Sequence, residues 1–197
     1  MKRTARVSAP ALPVRHVSLK LLSGAEHYDS VVSRELPNAR VSLWIGTANL
    51  KALFVEAPVG TRARARGRYV SILETFEQLA NRGVELRILH GRAPSGPFRE
   101  ELARRRELGK RLRLRECPRV HLKTIVIDGR LLYLGSANFT GAGLGARGAA
   151  KRNFELGILT DDEHMLDDVQ AHFDAIWSGR ECGSCQLRRL CPKPLDT

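Results

Sequence analysis

Residues 121–138 read HLKTIVIDGRLLYLGSAN. Two apolar runs, Thr124–Ile127 and Leu131–Leu134, are joined by Asp128-Gly129-Arg130. An Asp-Gly pair between such runs is a strong short-range hairpin signal. His121 and Lys123 are two apart, so on a strand they project to the same face. Gly135-Ser136-Ala137-Asn138 follows the return strand and brings a hydroxyl and an amide back to the end where the chain entered. A nucleophile or base, a fixed cation and two neutral hydrogen-bonding groups thus converge on one spot. That set suits a phosphate.

The spacing is His121-x-Lys123, four residues, Asp128, six residues, Gly135-Ser136-x-Asn138, with Asn153-Phe154-Glu155 further on. This pattern resembles, with no departure, the HKD signature of the phospholipase D superfamily. A lone His-x-Lys carries no information in a basic chain; the whole pattern on a strand–turn–strand does. The plain alternative is a hairpin whose polar residues merely cap its ends. The resemblance covers roughly residues 15–180. It implies an α/β fold, a mixed β-sheet flanked by helices in a single domain, and a metal-independent phosphodiesterase.

Length and composition agree with that expectation. A chain of 197 residues suits one domain with a real core. Lys plus Arg number 33 against 21 Asp plus Glu, a net charge of +12. Such an excess speaks about partners, nucleic acid or an anionic membrane surface, rather than about fold. The competing account is an Arg-rich proteome with no polyanion in view. No run approaches the roughly 18–20 apolar residues of a membrane span. MKRTARVSAPALPV at the start is basic but is broken by Pro10 and Pro13, so it does not read as a signal peptide. The expected organisation is a flexible basic tail over 1–14, a catalytic domain over 15–180 and a Cys-rich tail over 181–197, in a cytoplasmic protein.

Along the chain, Tyr28, Val31, Val32 and Leu36 predict an amphipathic helix over 23–36, with Ser23 as N-cap and Pro37 ending it. A strand over 40–45 leads into Gly46-Thr47-Ala48-Asn49. LWIGTANL (43–50) echoes LYLGSANF (132–139). Either the echo is chance, or two strands end side by side and present Thr47, Asn49, Ser136 and Asn138 at one rim. A long helical stretch is expected from Thr61 through Ala80, a strand over 84–89, and a helix over 98–108. The basic run Arg99, Arg104, Arg105, Arg106, Lys110, Arg111, Arg113 and Arg115 is either a solvated helix face or a phosphate-tracking stripe. After a glycine-rich loop, Lys151 and Arg152 are candidates to grip a phosphate backbone. A strand is expected over 153–159, then an amphipathic helix over 161–177. Asp161, Asp162 and Glu163 suit its positive N-terminal end better than a metal.

Phosphodiester cleavage without a metal needs a nucleophile on one side of phosphorus and a proton donor on the other. Imidazole can be either. One chain supplies a single His-x-Lys. The resemblance implies that single-motif members pair two subunits about a two-fold axis, forming a homodimer in which each contributes its motif. One His121 then attacks to form a covalent phosphohistidine and the partner's His121 protonates the leaving oxygen. Lys123 and Asn138 hold the non-bridging oxygens. Glu155, on one strand face with Asn153, would bond the far nitrogen of His121 and fix its tautomer; a glutamate at this place in relatives is similar. Ser136 hydrogen-bonds within the site. Asp128 belongs to the signature, but its place at the hairpin turn makes it structural. The remaining histidines (His16, His27, His90, His164, His172) lack recognisable spacing and default to surface or core.

Nuclease activity is favoured by the basic charge, the small size and the single motif. A phospholipase or phosphatidyltransferase on anionic lipid is the rival enzyme, and a non-catalytic nucleic-acid-binding module the rival of another class.

The cysteines stand apart. Cys182-x2-Cys185-x5-Cys191-Pro192 closes the chain, and Cys117, the only other one, lies four residues before His121. Four thiolates fit zinc or an iron–sulfur cluster. The spacing is similar to the iron–sulfur staple of RecB-like nucleases, whose fold is unrelated. A four-thiolate site pinning the tail beside the active-site strand is expected, with free thiols or a disulfide as the alternative. The phospholipase D resemblance is silent here.

Overall fold

The turn at Asp128-Gly129 is made as its residues dictate. In the computed structural model, which describes residues 16–57, 60–189, 191 and 193–196, both central residues have positive φ (55° and 61°), as a type I′ hairpin turn demands. Arg130 N–H closes it on the Ile127 carbonyl at 3.0 Å. The tail expected over 1–14 lies outside the described residues.

The elements in chain order are β1 (Lys20–Ser23), a wide π-type helical segment (His27–Glu35), a 3-10 turn (Leu36–Asn38), β2 (Ser42–Thr47), β3 (Phe54–Glu56), α1 (Arg62–Ala65), β4 (Tyr69–Ser71), α2 (Ile72–Asn81), β5 (Glu85–His90), α3 (Gly96–Arg104), α4 (Arg106–Arg111), β6 (Leu112–Glu116), β7 (Lys123–Ile127), β8 (Leu131–Gly135), a 3-10 turn (Ala149–Lys151), β9 (Leu156–Thr160) and α5 (Glu163–Trp177). Seven strands form one mixed sheet in the order β1-β9-β8-β7-β2-β5-β6. The β2–β5 and β5–β6 pairs are parallel, and every pairing from β2 through β7, β8 and β9 to β1 is antiparallel. β3 and β4 form a separate ribbon.

Alternation along the strands sorts side chains into two cores. Leu43, Ile45, Ile125, Ile127 and Tyr133 pack with Phe76 and Leu79 of α2, Phe98 of α3 and Val31 and Val32 of the π segment. On the other face Val126 and Leu132 meet Leu166 of α5 and Trp44. Phe173 stacks between Trp44 (5.3 Å) and Trp177 (5.7 Å). The expected mixed sheet with helices on both sides is therefore the observed one.

Local boundaries differ where tertiary pairing overrides pattern. Ser23 is not a helix N-cap: it ends β1, paired with Leu156, and its N–H and hydroxyl both go to Glu26 Oε2 (3.0 and 3.2 Å). The helix expected from 61 to 80 is cut, because Tyr69–Ser71 pairs with Phe54–Glu56; α2 then starts at its own cap, the Ser71 hydroxyl accepting from Leu73 N–H. The helix expected over 98–108 breaks at Arg105, whose guanidinium is held by Glu77 and Glu101.

β6 went unread in the sequence because arginines alternate with Leu112 and Leu114. Charge on a sheet-edge strand blocks edge-to-edge association. Part of the basic run is engaged within the chain. Arg111 donates to the Ala80 carbonyl, Arg115 to those of Trp177 and Leu195, and Lys110 pairs with Glu107. Asp162 Oδ1 caps α5 through Met165 N–H at 2.8 Å, the capping role expected of that acidic cluster.

Candidate active site

Strand direction decides which residues meet. β2 and β8 flank β7 and both run against it, so their carboxyl ends lie at the rim where β7 begins. β9 begins at that rim and β1 ends there. His121, Lys123, Ser136, Asn138 and Glu155, spread over 35 positions of sequence, are gathered at this one edge. Asp128 is at the opposite end.

At the rim Lys123 Nζ lies 2.8 Å from His121 Nδ1, 3.0 Å from Nε2 and 2.9 Å from the His121 carbonyl. An ammonium can only donate, so the His121 carbonyl accepts from it, and the imidazole stands beside the cation on the same rim. Burial pulls the Lys123 ammonium below the ordinary lysine range, and the Glu155 carboxylate works the other way. His121 is exposed.

The echo between 43–50 and 132–139 has a structural basis. Leu50 bridges Phe139 in parallel, Asn138 Oδ1 accepts from Asn49 N–H at 3.0 Å, and Phe139 N–H donates to Thr47 Oγ1 at 2.9 Å. The two loops meet across the start of β7. This corrects the reading of Thr47 as a substrate contact: it is 1% exposed, its hydroxyl spent on the Asn49 carbonyl at 2.9 Å. Asn49 likewise serves through its backbone. With Oδ1 committed, Asn138 has its NH2 to offer a ligand.

Glu155 is placed differently from expectation. It and Asn153 precede β9 instead of lying on it. Its carboxylate takes the Ser136 hydroxyl on Oε2 and Asn153 Nδ2 on Oε1 at 3.0 Å. Within one chain the bond anticipated to His121 is replaced by these two. Ser136 also accepts from Leu156 N–H at 3.1 Å, which ties the end of β8 to the start of β9. Lys151 is exposed on its 3-10 turn. Arg152 is half-buried near Gly24 and its Nε has no partner among the described residues.

Two residues that sequence reasoning left aside hold Glu155 in place. Buried His27 sets Nε2 3.2 Å from the Glu155 carbonyl and Nδ1 3.0 Å from the Tyr133 hydroxyl. A carbonyl only accepts, so Nε2 carries the proton and Nδ1 takes the Tyr133 O–H. Burial first, and the Glu155 charge second, push the Tyr133 phenol well above its ordinary range. The one available signal was a tyrosine at an inward position of an apolar strand, which needs a polar partner.

Asp128 is the structural residue its turn position implied. Oδ1 accepts from Val41 (2.7 Å), Arg40 (2.9 Å) and Ser42 (3.0 Å). Burial raises its pKa, but these donors and Arg130 outweigh it and hold the carboxyl below the usual range.

All four cysteines line a single cavity of about 160 Å³ between the loop after β6 and the C-terminal tail. All are free thiols. Among the described residues no group of three or more His, Cys, Asp or Glu is placed to hold a metal ion.

Residues 32–177 match the family described as cardiolipin synthase, PLD-like domain. The chain belongs to this phospholipase D-like family. It is 30% identical over 107 residues to the mitochondrial cardiolipin hydrolase of Chlamydomonas reinhardtii, a match covering 54% of this chain and 45% of that one; the chain thus spans less than half the length of this curated relative. Two solved structures share the fold. NucT from Helicobacter pylori has a TM-score of 0.54 at 17% identity, covering 81% of this chain and 94% of its own. Nuc from Salmonella typhimurium, a phospholipase D family member, has 0.57 at 16%, covering 83% and 95%. No helix among the described residues is long and apolar enough to cross a membrane.

Proposed function

We propose that this protein is a metal-independent phosphodiesterase that hydrolyses nucleic acid through a phosphohistidine, at a site completed by a second copy of the chain. The observation that carries the reading is the His121–Lys123 contact on an exposed rim shared with Asn138. An unprotonated ring nitrogen of His121 attacks phosphorus, forming a P–N bond as the P–O bond to the leaving group breaks. The partner's His121 gives its proton to the leaving oxygen. It then takes a proton from the water that attacks phosphorus and breaks the P–N bond. Lys123 Nζ and Asn138 Nδ2 donate to the non-bridging oxygens as charge builds there. No step calls for a metal, and the cysteines lie outside the chemistry. Lys151 and Arg152 extend the positive surface along the polymer. Cysteines held outside disulfides suit a reducing, cytoplasmic setting.

The net charge of +12 favours a nucleic acid. The cardiolipin names of the family and the curated relative keep anionic phospholipid as the second reading. Single- and double-stranded DNA, RNA, and cardiolipin vesicles, each incubated with the protein in excess EDTA, separate them. Cleavage of a nucleic acid supports the proposal; turnover of vesicles alone overturns its substrate.

A surface for the second copy lies beside the rim. Leu21 and Leu134 are both register neighbours of Ile158, so they share one sheet face with Leu156. Leu21, Leu156 and the adjoining Phe154 are 62%, 61% and 106% exposed. α5 covers the sheet lower down and leaves this patch bare. Apolar area of this kind next to a site with one imidazole per chain is where a twin subunit docks. Phe154→Asp should convert the dimer to monomer in sedimentation and lower turnover at least tenfold. A variant that stays dimeric removes this face from the interface.

A further inference from the structure

The tail after α5 folds back on the domain as a series of tight turns. Cys182 N–H bonds the Gly179 carbonyl, Cys185 N–H that of Cys182, Arg188 N–H that of Cys185, and Cys191 N–H that of Leu187. The far end is tied down by Arg188 to Asp196 and by Arg115 reaching the Leu195 carbonyl at 3.3 Å. These turns bring Cys182, Cys185 and Cys191 to the lining of the 160 Å³ cavity, which Cys117, more than sixty positions earlier, also lines. Cys117 itself packs on the small apolar core of Leu89, Val120, Phe173 and Trp177. Arg119 lines the same cavity as Cys185.

We propose that this cavity holds a [4Fe–4S] cluster ligated by Cys117, Cys182, Cys185 and Cys191. Three observations converge on it. The four cysteines of the chain all line one cavity, although nothing in the sheet topology requires the tail to return to the β6–β7 loop. With Zn–S bonds of about 2.3 Å, the sulfurs of a tetrahedral zinc site close to within about 3.8 Å of each other. No such three-donor group exists among the described residues, whereas a cavity near 150 Å³ takes a body the size of benzene. Four thiolates around an inorganic core are the ordinary ligand set for such a cluster. The surrounding chemistry suits an anionic centre, with Arg119 and Arg188 on the lining and apolar side chains behind. The cluster would cross-link the tail to the loop that carries His121, four residues beyond Cys117.

The test is anaerobic purification of the full chain, with iron, acid-labile sulfide and zinc measured per chain alongside the visible spectrum. About four irons and four sulfides, with a broad visible absorption bleached by dithionite, are expected. Colourless protein, or one zinc per chain without iron, overturns the proposal. Cys117→Ser addresses the long-range ligand, its folding followed by circular dichroism. It should lose at least half the iron and change the spectrum while the far-ultraviolet signal is kept. Unchanged iron and spectrum would overturn the part played by Cys117. If that variant fails to fold, Cys191→Ser in the tail takes its place, and undiminished iron there overturns the ligand set.

Discussion

His121→Ala should lower single-turnover cleavage of a labelled oligonucleotide by about 10⁴-fold or more, which at 1.36 kcal/mol per decade exceeds about 5 kcal/mol of barrier. On the proposed shared site one substitution deletes both nucleophile and proton donor, which is why the expected loss is this large. KM should change little, since Lys123, Asn138 and the basic surface still hold the ground state. Lys123→Ala removes a charged donor to the non-bridging oxygens and belongs nearer 10²–10³. Acid quenching should trap phosphate on the native protein and none on His121→Ala. Activity of His121→Ala above a tenth of native would remove the histidine from the chemistry and the proposed mechanism with it.

Asp128→Ala should cost about 3 kcal/mol of folding stability while sparing the rim. Three backbone N–H groups lose one carboxylate acceptor at once, and hydrogen bonds to a charged acceptor contribute about 1.5–3 kcal/mol each without adding fully. Alanine also carries the positive φ of 55° less well than aspartate. For a domain of this size the melting temperature should fall by about 6–12 °C, with turnover per folded molecule retained. The same carboxylate gives stability a pH dependence. Its folded pKa lies below the unfolded value of 3.8, so its contribution is complete above that value and is lost as pH falls through the folded pKa. Urea midpoints taken from pH 5 down to about pH 2 should fall more steeply for the native chain than for Asp128→Asn. Parallel pH curves for the two would assign the acid sensitivity elsewhere.

The hairpin and the polar set at its mouth were legible because both are local: an Asp-Gly turn and two period-two runs are written in consecutive residues. The sheet around them was legible in kind but not in extent. β1, β3 and β4 are three or four residues long and exist only through their partners, and β6 hides behind arginines. Glu155 was recognised, yet its companions were not, since His27 and Tyr133 meet it from segments more than a hundred positions apart. The GTAN and GSAN loops show the same limit. Their likeness was visible, whereas the exchange of backbone and side-chain hydrogen bonds that makes Thr47 a buried brace depends on β7 lying between them.

The ledge that carries His121 rests on bare main chain. A Cβ added at Gly91 would stand 2.3 Å from the Val120 carbonyl and 3.2 Å from that of Ala48, so three segments touch there with no room for a single methyl. Any residue but glycine at that spot wedges the histidine's perch away from Asn49 and Asn138. The reacting geometry is thus gauged at a point that bears no reactive group, where one carbon atom is the tolerance.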